Sequence, residues 1–210
     1  MSGGAPREIL LATRNRGKAA EVRAMLEGLP ATIRTLEECP GAPDVVEDGL
    51  TFRDNALKKA RGLARWGGGL ALADDSGLEV DALGGAPGVW SARYAGPGAT
   101  DAKNNSELLR ALEGIPLAQR SARFRCVLAL AHPDGREWVA EGACEGRIAL
   151  APRGETGFGY DPLFLVTGRG KTFAELGPAV KNRISHRAKA LAAMKEIIAR
   201  VIRDEPPPGG

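Results

Sequence analysis

Residues 9–18, Ile9-Leu10-Leu11-Ala12-Thr13-Arg14-Asn15-Arg16-Gly17-Lys18, decide the fold class. The opening apolar run is short enough to be a buried strand and ends in a polar turn. Beyond the turn, Val22, Met25, Leu26 and Leu29 recur at three- and four-residue spacing, which predicts a helix from about Gly17 to Leu29. A strand feeding a helix through a tight turn is half of a βα unit, and the alternation continues down the chain. Thr51 is a good N-cap with Asp54 three residues on, opening a helix whose stripe is Phe52, Ala56, Leu57, Ala60, Leu63 and Ala64. Gly67-Gly68-Gly69 stops it, and Leu70 to Ala73 reads as a strand running into an acidic turn, Asp74-Asp75-Ser76-Gly77. A helix over Asp101–Leu112 follows, then a strand over Phe124–Ala131 and the turn Pro133-Asp134-Gly135. Arg136–Ala140 returns as a hairpin partner, Cys144–Leu150 is a further strand, and His186–Ile202 is a closing helix. Strand–helix alternation with one hairpin predicts an α/β protein with a mixed sheet.

The 210 residues suit one domain, or one domain with a small second lobe. A chain of this size buries about 70–72% of its unfolded surface. With 43% hydrophobic but only 5% aromatic residues, Ala, Leu and Val are expected to build most of the core. The 29 Lys and Arg against 26 Asp and Glu give a net charge of +3, which argues against a DNA-coating protein and against disorder. Cys39, Cys126 and Cys144 are scattered and odd in number, so neither a disulfide framework nor a zinc ribbon is indicated. No stretch has the length of a signal sequence or a membrane span, so a cytoplasmic location is expected. DEPPPGG, residues 204–210, reads as a disordered tail after a domain over 1–203.

Four stretches carry chemical possibilities, each with a plainer reading beside it. Thr13 to Lys18 joins a strand to a helix, whose N-terminus suits a phosphate; a solvated βα turn has the same composition. It is not a Walker A loop, since Ala12 and Ala19 stand where that motif needs Gly and Ser or Thr. Asp74 and Asp75, with Glu47-Asp48-Gly49 upstream, could hold Mg²⁺ through one or two carboxylates plus substrate phosphate, or position a water. The plain alternative is a polar turn. Gly154 to Phe164 could be a loop that stacks Phe158 on a base, or a surface loop tucking Phe158 and Tyr160 inward. Lys181 to Arg187 gathers Lys181, Arg183, Arg187 and His186, with Ser185 a plausible N-cap for the last helix. It could clamp phosphate or donate to a carbonyl oxygen, or be a solvated basic turn. His132, before the Pro133 turn, reads as structural or exposed. No GxSxG elbow or Cys–His pair offers a nucleophile, which leaves phosphoryl or nucleotidyl chemistry.

Taken together, LLATRNRGKAAE (10–21), EDGLTFRDNALKKA (47–60), ADDSGLEVDALGGAPGVWSARYAG (73–96), GFGYDPLF (157–164) and KNRISHR (181–187) resemble the Ham1-like inosine triphosphate pyrophosphatases, in order and in spacing. The wording of SARYAG and ISHR is similar to the bacterial branch; Pro178-Ala179-Val180 departs from the acidic residues expected before Lys181. The resemblance implies an elongated mixed sheet flanked by helices, two lobes with a cleft between, and a homodimer. It implies Mg²⁺-dependent hydrolysis of ITP, dITP and XTP to the monophosphate and pyrophosphate, with no nucleic-acid or membrane partner. By position, Thr13, Arg14, Asn15, Arg16, Gly17 and Lys18 would bind the triphosphate. Glu47 and Asp75 would hold metal, with Asp75 accepting the proton of the attacking water and Ser76 touching substrate beside it. Phe158, Gly159, Tyr160, Asp161, Lys181, His186 and Arg187 would contact base and phosphates.

A donor from Arg187 or His186 to purine O6 would reject adenine but not guanine. Excluding guanine therefore calls for a second element near purine position 2, a donor or a tight wall. Two rivals remain at this stage: a related pyrophosphatase acting on other modified nucleotides, and a nucleotide-binding protein without catalysis. The first would lack the His186-Arg187 pair, and the second would not need Glu47 and Asp75.

Overall fold

β1 (Arg7–Leu11) is buried along its apolar half because it is sandwiched between two parallel neighbours, β2 (Ala31–Thr35) and β3 (Leu70–Val80). The structure is a computed structural model that describes residues 7–203; the expected tail, 204–210, and residues 1–6 lie outside the described residues. The sheet has the order β2-β1-β3-β4-β5-β6, with β4 (Ser121–Ala131), β5 (Glu137–Ile148) and β6 (Phe164–Val166). β5 and β6 are antiparallel, so the sheet is mixed as expected.

α1 (Arg16–Leu26) is capped by Asn15, whose side chain accepts from Lys18 N–H, and it ends three residues earlier than its apolar spacing predicts. Glu27 leaves helical geometry, and Gly28 and Pro30 break the helix so that β2 can start at Ala31. α2 (Phe52–Gly67) starts as expected, with Thr51 Oγ1 accepting from Asp54 N–H at 3.1 Å. α3 spans Asp101–Ala111, α4 Phe173–Leu176, α5 Pro178–Ile184 and α6 His186–Ile202. Pro178, the departure from the family pattern, is the first residue of α5, where a missing N–H costs nothing. Ser185 Oγ accepts from Ala188 N–H at 3.1 Å, the N-cap bond expected for α6.

Two expectations about strands change. Asp74-Asp75-Ser76-Gly77 is not a turn after the strand; it lies in the middle of β3. Aspartate is a poor strand former, but Asp74 and Asp75 are buried and a cationic partner, Lys18 on Asp74, overrides local preference. The two segments 136–140 and 144–150 are one strand, β5, which ends at Ile148.

The described residues divide into two compact units. The first comprises the chain up to Asp75, Val127–Glu141 and the chain from Ala190 on; the second is Ser76–Cys126 and Gly142–Lys189. In the first, Ile9, Leu11, Val22, Ala56, Leu72 and Met194 are buried, an aliphatic interior of the expected kind. In the second, three of the five phenylalanines meet, Phe164 lying 4.6 Å from Phe124 and 5.3 Å from Phe173 between ring centres. Arg120 is buried there and donates to the carbonyls of Leu112, Ile115 and Ala149, tying the end of α3 to the loop after β5. The three cysteines are buried, and none forms a disulfide. No described helix is long and apolar enough to cross a membrane.

After β2, Glu38 accepts from Thr35 N–H at 2.7 Å and from Arg23, bonds that lower its carboxyl from 4.5 to about 2. A carboxylate with a depressed folded-state pKa stabilises the fold above its unfolded value and loses that contribution as pH falls through the folded one. Thermal melts between pH 6 and pH 2 should therefore show Glu38→Gln losing less stability than the wild type over the window from 4.5 to about 2. Parallel curves would mean that Glu38 contributes nothing to acid sensitivity; the effect is small because the carboxylate is solvated.

Candidate active site

In the first unit, β3 and α2 bring three acidic side chains to two lysines. Asp74 and Asp75 are buried side by side on β3. Lys18, from the first turn of α1, reaches Asp74 Oδ2 at 3.0 Å. Lys59 donates to the Asp74 carbonyl at 2.6 Å and to Glu47 Oε2 at 2.9 Å. Asn55, one helical turn before Lys59, donates from Nδ2 to Asp75 Oδ2 at 3.0 Å and accepts from Gly49 N–H at 2.8 Å. The loop carrying Glu47 is thereby pinned to α2. Burial pushes the Asp75 carboxyl up, against the pull of Lys59, Lys18 and the Asn55 bond, with Glu47 adding to the rise. Such a group suits accepting a proton from water.

Lys59 and Asn55 were not among the residues picked from the sequence. The available signal was polar residues inside an apolar stripe: 55 and 59 alternate with Phe52, Ala56, Ala60 and Leu63 on the buried face of α2. The rest of the Thr13–Lys18 turn is divided in its roles. Thr13 Oγ1 accepts from Asn15 N–H, Asn15 caps α1, and Arg14 is held by Asp44 at 2.7 Å and the Ala42 carbonyl. Gly17 sits in the opening turn of α1, and the side chain of Arg16 lies outside what is described.

The second unit carries the other set. Lys181 and Asp161 are buried together, Nζ to Oδ2 at 2.6 Å, and the same oxygen accepts from Phe158 N–H at 3.0 Å. Lys181 Nζ stands 4.1 Å above the Phe158 ring and the Arg187 guanidinium 6.0 Å from it, so the half-buried ring faces two cations. Arg187 is buried and donates to Ser76 Oγ at 3.0 Å; His186 stacks on Phe124 at 4.8 Å. Gly157 has φ +87°, and a Cβ there would lie 2.2 Å from Asp161 Oδ2, so only glycine lets Asp161 reach back to this turn. Tyr160 faces inward, its hydroxyl donating to the Ser91 carbonyl at 2.8 Å and its phenol pushed up by burial. It supports the loop from beneath, and Asp161 does the same through Lys181. His132 pairs with Asp134 in the β4–β5 turn, as a structural residue would. A cavity of about 590 Å³ in the first unit, lined by Trp66 and His132 among others, includes none of the residues expected to bind substrate or metal.

Among the described residues, no three His, Cys, Asp or Glu side chains form a metal cage. Glu47 and Asp75 nevertheless suit Mg²⁺, which is usually bound through one or two carboxylates completed by substrate phosphate and water. Glu47 is ion-paired with Lys59 at 2.9 Å.

A model of the Ham1 family matches residues 9–197. The chain is 54% identical to the dITP/XTP pyrophosphatase of Desulforamulus reducens, over 92% of this chain and 96% of that protein. Identity to the dITP/XTP pyrophosphatase of Geobacter sulfurreducens is 53%, over 90% and 94% of the two chains. Among solved structures, a HAM1 protein from Coxiella burnetii aligns with a TM-score of 0.86 at 45% identity, covering 92% of this chain and 99% of that one. The dITP/XTP pyrophosphatase of Mycobacterium abscessus aligns at 0.74 and 46% identity, covering 89% and 98%. The family model spans nearly the whole of the described chain, and the chain belongs to the Ham1 family.

Proposed function

We propose that this protein hydrolyses the triphosphates of deaminated purines, ITP, dITP and XTP, to the monophosphate and pyrophosphate. The observation that carries the reading is Asp75, a buried carboxylate with a raised pKa flanked by two lysines and followed directly in the chain by Ser76, which Arg187 holds.

Asp75 accepts a proton from water as the water oxygen bonds to the α-phosphorus. The bridging bond to the β-phosphate breaks, and pyrophosphate departs with the bonding electrons. Lys18 and Lys59, with the positive end of α1, offset the charge on the triphosphate and on the leaving group. Glu47 and Asp75 would hold Mg²⁺, which supplies neutralisation of the phosphate oxygens in the transition state. Phe158 stacks on the base, while Arg187 and His186 donate to a carbonyl at purine position 6 that adenine lacks. Discrimination of about 10⁴–10⁵ is available where a mismatched base leaves such buried donors unpaired. The proposal includes a homodimer in the cytoplasm, with neither nucleic acid nor membrane as partner.

The test is release of pyrophosphate from ITP, XTP, dITP, GTP and ATP, with and without Mg²⁺. Magnesium-dependent release from the first three, with GTP and ATP far slower, is the expected result. Release of single phosphates, or GTP turned over as efficiently as ITP, would refute the assignment.

A further inference from the structure

Gly159, at the tip of the Phe158 turn, is held at both polar atoms of its backbone by one face of α3. Its N–H donates to Asp101 Oδ2 at 2.7 Å, and its carbonyl accepts from Asn105 Nδ2 at 2.9 Å. The four-residue spacing of Asp101 and Asn105 puts both side chains on the same helix face. Gly159 has φ +61°, which glycine adopts without strain but does not hold by itself, so the hydrogen bonds from α3 set where the turn stands. Phe158 is fixed from the other side by Asp161, which accepts its N–H. Asn105 Oδ1 is buried with no hydrogen-bond partner among the described residues. Burying an amide with an unsatisfied oxygen is unfavourable, so the side chain is held there for its donor.

We infer that Asp101 and Asn105 are positioning residues for purine recognition, holding the Gly159 peptide so that the Phe158 ring stands at a set height for stacking on the base. The inference rests on the base-reading role given to Phe158 above. Neither residue touches the phosphate-handling set, so their loss should weaken base binding and leave the chemical step alone. Freed from one clamp bond, the turn spends part of its time in conformations where the ring is misplaced, and KM rises.

The experiment measures kcat and KM for ITP, and inhibition by inorganic tripolyphosphate, which has the phosphates but no base. The variants are Asn105→Ala, Asn105→Asp, Asp101→Ala, Asp101→Asn and Phe158→Ala, with a thermal melt of each. Asn105→Ala and Asp101→Ala should each raise KM about 5–10-fold, the worth of one hydrogen bond, with kcat within about twofold and tripolyphosphate inhibition unchanged. Asn105→Asp keeps the size but sets a carboxylate against the Gly159 carbonyl, so it should be no better than the alanine variant. Asp101→Asn keeps an acceptor for the Gly159 N–H and should restore KM to near the wild-type value. Phe158→Ala should raise KM about tenfold or more through lost stacking. If Phe158→Ala raises KM while Asn105→Ala and Asp101→Ala do not, the clamp is refuted and the base-reading role stands. If kcat and tripolyphosphate inhibition change together with KM, the residues serve general stability and the inference is wrong. If Phe158→Ala itself leaves KM unchanged, the base-reading role fails, and the inference with it.

Discussion

Exchanging Asp75 for asparagine is expected to lower pyrophosphate release from ITP, XTP and dITP by about 10²–10⁴-fold, the usual contribution of a positioned general base, without unfolding the protein. Asparagine has the size of aspartate, and its Oδ1 can still accept from Asn55 Nδ2. Burial already disfavours the Asp75 carboxylate, so removing its charge relieves a desolvation cost as it loosens the attraction to Lys59 and Lys18. The two effects oppose each other, and the melting temperature should change little. What disappears is the proton acceptor and one of two carboxylates suited to Mg²⁺. Tripolyphosphate binding should survive, because Lys18 and Lys59 remain. Steady-state release assays beside a thermal melt decide it: activity within tenfold of wild type would remove Asp75 from the proton transfer.

Lys181→Met should produce the largest loss of stability. Lys181 and Asp161 are 4% and 2% exposed and joined at 2.6 Å, so removing the ammonium leaves a carboxylate buried without its main counter-charge. Breaking a buried pair in this way costs about 3–5 kcal/mol, which for a chain of this length lowers the melting temperature by roughly 6–20 °C. The double variant Lys181→Met/Asp161→Asn should recover most of that loss. It removes both charges together, and the asparagine oxygen still accepts from Phe158 N–H. Its activity should stay low, because the cation above the Phe158 ring is gone. Equal melting temperatures for wild type and Lys181→Met would show that the pair is solvated in practice.

The sequence and the structure agree most closely where local chemistry governs. Thr51 and Ser185 cap helices as expected because a short polar side chain can satisfy an exposed N–H without help from elsewhere. Most of the α2 stripe, and Val22 and Leu26 of the α1 stripe, likewise appear directly on buried faces. Agreement fails where partners come from afar. Asp74 and Asp75 look like a turn because aspartate favours turns, and the lysines that let them lie in a strand are 15 and more residues away. The short edge strands β2 and β6, of five and three residues, and the helices α4 and α5, of four and seven, are too short to show a period.

What the sequence by itself determined is the α/β class, the helix caps and the set of motifs that identify the family. Each of these depends on residues close together in the chain. The tertiary structure alone decided how those residues divide their work. It turned Tyr160 inward onto Ser91 and Arg14 onto Asp44, made Asp161 the counter-ion of Lys181, and set Lys59 and Asn55 against Glu47 and Asp75, and Asp101 and Asn105 against Gly159. A side chain's role depends on the charge and hydrogen-bonding capacity of the groups packed around it, and those neighbours are chosen by the fold, at separations over which no sequence pattern persists.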